Sequence, residues 1–371
     1  MSNQPLIESN GSTKEASEDL PRFSINELQI GSYLGEGGFC IVHSITGFRL
    51  QQHTNVFTEH EITSRRRVAL NVERNGEVQY AIKRIRNDLS AIEEGKAIAD
   101  LAIESEFLAR LEHDHIISMR GVADQDPYSV HYFILLDRLY ETLDKRMKHK
   151  WKREVNKSSG LFWGCCANKE KLRDLWDVRL NVALNLAGAI QYLHNNGIIY
   201  RDLKPDNIGF NLNGVVKIFD FGLAKDLTKE TRVDGLYQLT GNTGSLRYMA
   251  PEVSLDLMYD EKVDAYSFGI LLWQICDLSV PFPGFTRKKH AELVIEKGER
   301  PRLNPSWQPG LALLISNCWA MDSYTRPDFG RIVTALEEEI RVLHYADECG
   351  ENDNKTVRHS DLGKKYDAAI V

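Results

Sequence analysis

The hydrophobic pattern of this chain changes from strand-like to helix-like along its length, and this change limits the folds that it can adopt. The first third contains short apolar runs separated by turns, such as LQIGSYLG, VQYAIKRI and YFILLDRL, which are typical of β-strands. One helical stretch, from about Ala91 to Glu112, interrupts them. After about Leu175 the pattern becomes mostly helical, and RLNVALNLAGAIQYLH stops at Gly197, a suitable C-terminal cap. This order predicts an α+β protein with two parts.

Charge and cysteine content give broad limits on the function. The 371 residues carry a formal net charge of −7, with acidic and basic side chains interspersed along most of the length. This balance gives no general attraction to nucleic acid or to anionic lipid. The six cysteines show no spacing typical of a zinc site, and a disulfide framework is not expected in a chain of this size. We therefore expect reduced thiols and a cytoplasmic location, with nuclear access also compatible.

Both ends of the chain are polar. Residues 1–22 contain few apolar side chains, and residues 346–371 are polar up to a short apolar end, Ala368–Val371. We predict a disordered tail at the start and a flexible tail at the end, with docking of the apolar end on a partner as the alternative. The first residues lack the basic and apolar regions of a signal peptide. The longest apolar stretch, Val263 to Val280, is interrupted by Asp264 and Asp277, so it favours a buried helix over a membrane span.

Two segments interrupt the pattern. Residues 48–75 are polar and contain three consecutive arginines, Arg65 to Arg67. Residues 148–173 combine many lysines with Trp163 and the pair Cys165–Cys166. We interpret both as solvated surface loops, with a docking or lipidation site as the alternative.

A glycine-rich turn and a lysine in the strand-rich part are suited to binding phosphate. The segment Gly35-Glu36-Gly37-Gly38-Phe39-Cys40-Ile41-Val42 lies between two predicted strands, and its glycines allow the backbone N–H groups to approach phosphates closely. Ala81-Ile82-Lys83 ends a later strand. A lysine there needs an anionic partner to hold its flexible side chain, and the following helix offers Glu104 or Glu106.

The segment from Tyr200 to Asn207 carries the strongest chemical signal, because it contains Asp202 and Lys204. Eighteen residues after Asp202 comes Asp220-Phe221-Gly222, and later Ala250-Pro251-Glu252. In this order the motifs resemble the catalytic loop, the metal-binding triplet and the end of the activation segment of eukaryotic protein kinases.

The resemblance covers about Phe23 to Tyr345. It implies a bilobal α+β protein kinase fold, with a small β-rich N-lobe (about 23–137), a larger, mainly helical C-lobe (about 141–345) and ATP in the cleft between them.

The same resemblance implies a role for each motif residue. Asp202 would orient the attacking hydroxyl or accept its proton, Lys204 would neutralise charge on the transferring phosphate, and Lys83 would hold the nucleotide phosphates. Glu104 fits the kinase spacing as the partner of Lys83, and Glu106 is the alternative. Asn207 and Asp220 would hold Mg²⁺, since two oxygen ligands suit a hard cation that keeps its waters. The residues expected to bind ATP are Gly35, Gly37, Gly38, Val42, Ala81, Lys83, Asp137 and Leu139.

Other positions match the supporting parts of a kinase. Asp264 resembles the aspartate that anchors the catalytic loop, and Glu252 and Arg326 resemble the ion pair that ties down the activation segment. Kinases stack apolar side chains through their interior, and the matching positions in this chain are Leu108, Met119, Tyr200 and Phe221. Three positions depart from the pattern. Cys40 replaces the third glycine of the phosphate loop, which predicts a modest cost in ATP affinity, and Tyr200 replaces the commoner histidine. Gly209 replaces the leucine that many kinases place beneath the adenine ring, which predicts looser nucleotide packing.

Lys204 resembles the serine/threonine pattern, whereas YSFGILLWQI and RPDF are typical of the tyrosine-kinase-like group. We therefore predict a serine/threonine kinase of that group that acts on protein substrates, with dual specificity toward tyrosine left open. Arg201 indicates activation by phosphorylation, through an upstream kinase or autophosphorylation. The candidate sites are Thr228, Thr231, Tyr237, Thr240 and Thr243, and we favour the last two.

Three other classes of protein are less compatible with the sequence. A pseudokinase scaffold would lack Lys83, Asp202, Asn207 or Asp220, and all four are present. A small-molecule kinase generally lacks the Ala-Pro-Glu segment. A nucleic-acid-binding module is disfavoured by the charge and by the absence of a recognisable reader motif in the sequence.

Overall fold

The computed structural model describes residues 20–51, 58–158 and 166–348. The chain divides into two compact units. The first comprises the residues up to Glu112 together with Ser118–Asp137, and the second comprises His113–Ile117 together with the residues from Arg138 onward.

The first unit is built on a six-stranded sheet. In chain order its strands and helices are β1 (Arg22–Phe23), β2 (Leu28–Glu36), β3 (Cys40–Phe48), α1 (Glu59–Leu70), β4 (Glu73–Arg74), β5 (Glu77–Val78), β6 (Tyr80–Ile85), α2 (Ala91–Arg110), β7 (Met119–Ala123) and β8 (Phe133–Asp137). The sheet has the order β1-β7-β8-β6-β3-β2, and β4 pairs with β5. The β1–β7 pair is parallel and the other pairs are antiparallel. Ile45, Ile82 and Ile134 form part of its core and are fully buried.

The predicted helix after the lysine strand is present as α2 and ends at Arg110, two residues earlier than expected. It begins with a capping box: the Ser90 side chain accepts a hydrogen bond from the Glu93 N–H, and the Glu93 carboxylate accepts one from the Ser90 N–H. These two bonds satisfy backbone donors that a helix start leaves unpaired. Leu101, Phe107 and Leu108 on its inner face are buried.

The interpretation of residues 48–75 as a solvated loop is wrong for the described part. Glu59–Leu70 forms helix α1, whose N-cap is Thr58. The arginine run does not lie wholly in solvent, because Arg65 is buried and pairs with the buried Glu27 at 2.5 Å. Residues 52–57 of this segment lie outside the described residues.

The second unit is mainly helical. In chain order it contains β9 (Glu141–Thr142), α3 (Leu143–Lys145), α4 (Lys152–Ser158), α5 (Cys166–Asn195), β10 (Ile198–Ile199), β11 (Ile208–Phe210), β12 (Val216–Ile218), β13 (Lys225–Asp226), β14 (Arg232–Val233), β15 (Leu236–Tyr237), α6 (Pro251–Ser254), α7 (Lys262–Asp277), α8 (Arg287–His290), α9 (Pro309–Cys318) and α10 (Phe329–Glu348). A π-helical stretch, Arg146–Trp151, joins α3 to α4. The longest apolar stretch forms α7, which is buried over most of its length, as expected.

Within the described residues, the loop interpretation of 148–173 is also wrong. The described residues on both sides of 159–165 are helical, and Trp151 is only 2% exposed. Trp163 and Cys165 lie outside the described residues, so the lipidation alternative stays untested.

His113–Ile117 belongs to the second unit because of its hydrogen bonds. The Lys217 ammonium donates to the carbonyl oxygens of Asp114 (2.8 Å) and Ile116 (3.1 Å), and the Ile117 N–H donates to the carbonyl of Ile218 at 2.9 Å. The predicted N-lobe, about 23–137, is one continuous stretch of sequence. It therefore differs from the first unit by including His113–Ile117.

Secondary structure extends slightly into both predicted tails, 1–22 and 346–371. Arg22 of β1 pairs with Val122 of β7, and α10 continues to Glu348. Residues 1–19 and 349–371 lie outside the described residues. Among the helices that the structure describes, none combines the length and apolarity needed to cross a membrane.

Candidate active site

The glycine-rich turn connects β2 to β3 in the first unit. Gly35 pairs with Val42, and the Gly37 N–H donates to the Cys40 carbonyl at 2.8 Å, which closes the turn. A Cβ added to Gly35, Gly37 or Gly38 would meet no described atom within 4 Å. This open space beside the backbone is compatible with a phosphate cradled by the turn.

Lys83 is held by its neighbours in the same unit. In the β3–β6 pair it lies opposite Val42, and Ala81, two residues earlier, is buried. The Lys83 ammonium lies 2.5 Å from a carboxylate oxygen of Glu104, whose side chain is 2% exposed. Of the two acidic residues that the sequence offered, the structure thus pairs Glu104 with the lysine.

The two remaining predicted nucleotide-binding residues have other contacts. The Asp137 carboxylate makes a bidentate pair with Arg120 at 2.6 and 2.7 Å, and its backbone N–H donates to the Ser118 carbonyl at 3.0 Å. Leu139 belongs to the second unit and packs on Gly209, where an added Cβ would lie 2.7 Å from Leu139 Cδ1. The Leu139 side chain therefore occupies the space that a larger residue at position 209 would need.

The loop that carries Asp202 is fixed by the buried carboxylate of Asp264 on α7. Asp264 accepts hydrogen bonds from the backbone N–H groups of Tyr200 and Arg201, each at 2.8 Å, and its Oδ2 lies 2.9 Å from His194 Nε2. Arg201 has φ +70°, a conformation that costs about 1–3 kcal/mol and persists where surrounding contacts impose it. Asp264 provides such contacts.

Three side chains hold the Asp202 carboxylate. Lys204 Nζ lies 2.5 Å from Oδ2, Asn207 Nδ2 donates to Oδ2 at 2.8 Å, and Ser245 Oγ donates to Oδ1 at 3.0 Å. Ser245 reaches the loop because Gly244 allows close approach: a Cβ on Gly244 would lie 2.5 Å from the Arg201 carbonyl, and its φ is +95°. The carboxylate is thereby fixed in one orientation within the second unit.

Asn207 and Asp220 lie on neighbouring backbone segments. Strands β11 and β12 pair Ile208 with Ile218, and the Phe219 N–H donates to the Asn207 carbonyl at 3.0 Å. Asp220 follows directly, with φ +68°. Because the amide nitrogen of Asn207 donates to Asp202, its amide oxygen is the atom left to act as a ligand.

An amide oxygen and a carboxylate fit Mg²⁺, which binds few protein oxygens and keeps its waters. Among the described residues, no group of three or more His, Cys, Asp or Glu side chains could hold a metal ion. The candidate magnesium site therefore depends on Asn207 together with Asp220.

The predicted supporting residues of the second unit also lie in contact. Arg326, which is 1% exposed, makes a bidentate pair with Glu252 at 2.5 and 2.9 Å. The rings of Tyr200 and Phe221 pack edge to face with centroids 5.3 Å apart. In the first unit, Leu108 and Met119 are both buried.

A cavity of about 490 Å³ borders the loop that carries Asp202 in the second unit, with Lys204, Ser245, Tyr248, Phe282 and His290 among its lining residues. His290 is 1% exposed, and neither ring nitrogen has a hydrogen-bond partner in the described residues. Burial, with nearby Arg300 and Arg247, lowers the pKa of His290 to about 4, so the ring is neutral near pH 7.

Sequence reasoning missed His194 and His290. His194 stands at the end of a helix, six residues before Tyr200, and its position near the loop was the available signal. His290 follows three basic residues in the sequence, and nothing in that pattern indicates burial. Its placement depends on tertiary packing.

Residues 29–336 match the family model described as "Protein tyrosine and serine/threonine kinase". The chain belongs to this protein kinase family. Three relatives from Arabidopsis thaliana illustrate the similarity. Serine/threonine/tyrosine-protein kinase HT1 is 40% identical over 52% of this chain and 46% of its own length. Serine/threonine-protein kinase STY17 is 30% identical over 71% of this chain and 40% of its own. Serine/threonine-protein kinase VIK is 33% identical over 70% and 54%.

The kinase family, the tyrosine-kinase-like group and the α+β kinase fold predicted from the sequence are therefore confirmed. The chain spans about half or less of the length of these relatives.

Proposed function

We propose that this kinase is active and transfers the γ-phosphate of magnesium-bound ATP to serine or threonine hydroxyls of protein substrates. The observation that carries the proposal is the Asp202 carboxylate, held by Lys204, Asn207 and Ser245 in a loop that Asp264 anchors. Phosphoryl transfer depends on positioning and charge neutralisation more than on covalent chemistry, and this network would provide both.

The first unit would bind the nucleotide phosphates. Lys83, oriented by Glu104, offers a compact positive charge to the phosphate oxygens, and the backbone N–H groups of the glycine-rich turn offer hydrogen bonds. Val42, Ala81 and Asp137 would contact the rest of the nucleotide.

The second unit would supply the chemistry at the acceptor. Asp202 would accept a hydrogen bond from the attacking hydroxyl and take its proton, a contribution of about 10²–10⁴-fold in rate. Lys204 would stabilise negative charge on the transferring phosphate. Asn207 and Asp220 would hold Mg²⁺, which would neutralise charge on the β- and γ-phosphates.

The relatives support serine and threonine as acceptors, since all three are named as kinases of serine and threonine. The name of HT1 adds tyrosine, so dual specificity stays an outcome to be measured. A cytoplasmic location with nuclear access also stays a prediction.

Activation through Thr240 is the regulation that the contacts favour. Arg201 Nη1 lies 3.1 Å from Thr240 Oγ1 and 3.2 Å from the Tyr259 hydroxyl. A phosphate on Thr240 would form charge-assisted hydrogen bonds with this guanidinium. Thr243 Oγ1 instead donates to the Thr240 carbonyl at 3.0 Å. Thr240→Ala should therefore reduce activity more than Thr243→Ala; equal or reversed effects would argue against Thr240.

The proposal is tested by giving the purified full chain labelled ATP, Mg²⁺ and a mixed protein substrate. Asp202→Asn should lower incorporation by about 10²–10⁴-fold. Asp206→Asn, a change of an exposed carboxylate four residues away, is the matched control and should retain far more activity. Phosphoamino-acid analysis identifies the acceptor. Equal incorporation by the wild-type protein and Asp202→Asn would refute the enzyme assignment and favour a scaffold.

A further inference from the structure

The segment Lys145–Arg173 is strongly basic although the chain as a whole is acidic. Its 29 residues contain ten Lys and Arg against two Asp and Glu, a net charge of +8, whereas the chain has −7. The remaining residues together therefore carry a net charge of −15. The even balance of charge noted for most of the sequence does not hold in this segment.

The described part of this segment forms two helical stretches of the second unit. The π-helical stretch continues into α4, and α4 lies against α5. Between them is a cavity of about 690 Å³, whose lining includes Lys150, Lys157 and Lys171, the acidic Glu154 and Asp174, and the buried Trp151 and Leu175. Lysines from both sides thus line one recess, in which they outnumber the two acidic residues.

Most of these charges are available to a partner. Arg146 pairs with Glu141, and Lys148 pairs with Asp144. The other basic residues that are exposed and have no ion pair in the described part of the chain are Lys145, Lys150, Lys152, Arg153, Lys157, Lys169 and Lys171. These seven side chains are called the basic surface below. Residues 159–165 lie outside the described residues and are not part of it.

We propose that the basic surface docks on the anionic face of a phospholipid bilayer. Six of its seven residues are lysines, whose hydrated ammonium groups on flexible side chains need no partner of fixed geometry. A fluid layer of anionic headgroups matches that property. Single-stranded nucleic acid is matched less well, because such binding uses aromatic rings on which bases stack, and Trp151 on the described part of the segment is buried.

The expected affinity follows from the charge. Each Lys or Arg close to an anionic bilayer changes the partition coefficient by about fivefold at moderate ionic strength. Neutralising three lysines should therefore weaken binding by about 100-fold. Because these charges are exposed, binding should also fall as salt is added.

The test measures co-sedimentation of the full chain with vesicles in the absence of ATP, so its outcome is independent of the proposed kinase activity. Vesicles of phosphatidylcholine with phosphatidylserine are compared with vesicles of phosphatidylcholine alone. The variant Lys150→Gln/Lys157→Gln/Lys171→Gln is compared with Arg66→Gln/Arg67→Gln/Arg74→Gln, which removes three exposed charges from the first unit. A second variant, Lys145→Gln/Lys152→Gln/Lys169→Gln, removes three charges of the basic surface that do not line the recess. Thermal unfolding of each variant checks its fold.

We expect salt-sensitive binding to phosphatidylserine vesicles alone, lost by about 100-fold in both lysine variants and largely kept in the arginine control. Three results would overturn the proposal. One is no preference of the wild-type protein for anionic vesicles. Another is an equal loss in the arginine control. The third is tighter binding to RNA or to an acidic polypeptide than to vesicles at matched charge, which would assign the surface to that partner.

Discussion

Two ion pairs in the first unit have the same length but different surroundings. Lys83 lies 2.5 Å from Glu104, and Arg65 lies 2.5 Å from Glu27. The Lys83 side chain is 14% exposed and comes from a sheet strand next to the glycine-rich turn. The Arg65 side chain is 4% exposed and comes from helix α1.

The contacts around Glu27 show what its pair does. Its carboxylate also accepts hydrogen bonds from the backbone N–H groups of Ser24 (3.0 Å) and Gln51 (2.8 Å), and the Arg65 guanidinium lies over the Phe23 ring at 5.3 Å. This pair therefore joins α1 to the segment before β2 and to the segment after β3. We conclude that the length of an ion pair does not reveal its role, whereas the groups gathered around it do.

The contacts around the Arg65–Glu27 pair imply that it is needed for the stability of the fold. Removing one partner of a buried pair leaves an uncompensated charge and costs about 3–5 kcal/mol. Arg65→Ala should lower the free energy of unfolding by this amount in urea titrations, while the folded protein keeps its transferase activity. Arg66→Ala, next to it on the exposed face, should change stability by about 0.5 kcal/mol at most. Similar losses in the two variants would contradict the assigned role.

The Lys83 pair should show the opposite behaviour. Lys83→Arg keeps the positive charge beside Glu104 but replaces the compact ammonium with a planar guanidinium. We expect phosphate transfer to fall by about 100-fold, which corresponds to about 2.7 kcal/mol, with little change in unfolding. Lys96→Arg, at an exposed position of α2, is the control for the substitution. A Lys83→Arg variant that transfers phosphate at the control rate would remove Lys83 from the proposed site.

The contact between Gly209 and Leu139 in the second unit gives a prediction about packing. Gly209→Leu would place side-chain atoms where Leu139 now lies, and overpacking of this kind costs about 2 kcal/mol. We expect weaker ATP binding and lower stability, and Leu139→Ala in the same chain should restore part of both. A double-mutant cycle on the unfolding free energies measures the coupling. Additive effects would show that the two residues do not compete for the space.

The smallest expected effect is that of the buried His290 ring on the pH dependence of stability. Its folded pKa, about 4, lies below the unfolded value of 6.5, so the unfolded chain binds more protons between these values and stability falls as the pH is lowered from 7 to 5. After allowance for solvent screening, His290→Gln should remove about 1 kcal/mol of that fall. His131→Gln, at an exposed position, should leave it unchanged. An unaltered pH profile in His290→Gln would show that other groups cause the loss.

The sequence was most informative where a residue type is required by chemistry. Asp202, Asn207, Asp220 and Lys83 could be proposed because their motifs resemble those of protein kinases in type and order, and because phosphate and magnesium limit the side chains that can bind them. The strand-rich and helix-rich halves were also visible, because their apolar periods differ.

The sequence was least informative where polar residues form helices. The run Arg65–Arg67 looked solvated, yet one arginine of the three is buried, and only the position of Glu27 in the fold decides which one. In the second unit Leu143, Met147 and Trp151 recur every four residues and are buried. This helical signal was present in the sequence but was obscured by the surrounding lysines.

The role of Asp202 is tested most directly by a single-turnover transfer of the γ-phosphate at saturating magnesium and ATP, with nucleotide affinity measured on the same preparations. Asp202→Asn should bind magnesium-ATP as the wild-type protein does, because Asp202 is assigned to the acceptor hydroxyl, yet transfer should be at least about 100 times slower. Wild-type transfer at the same rate as Asp202→Asn would contradict the account.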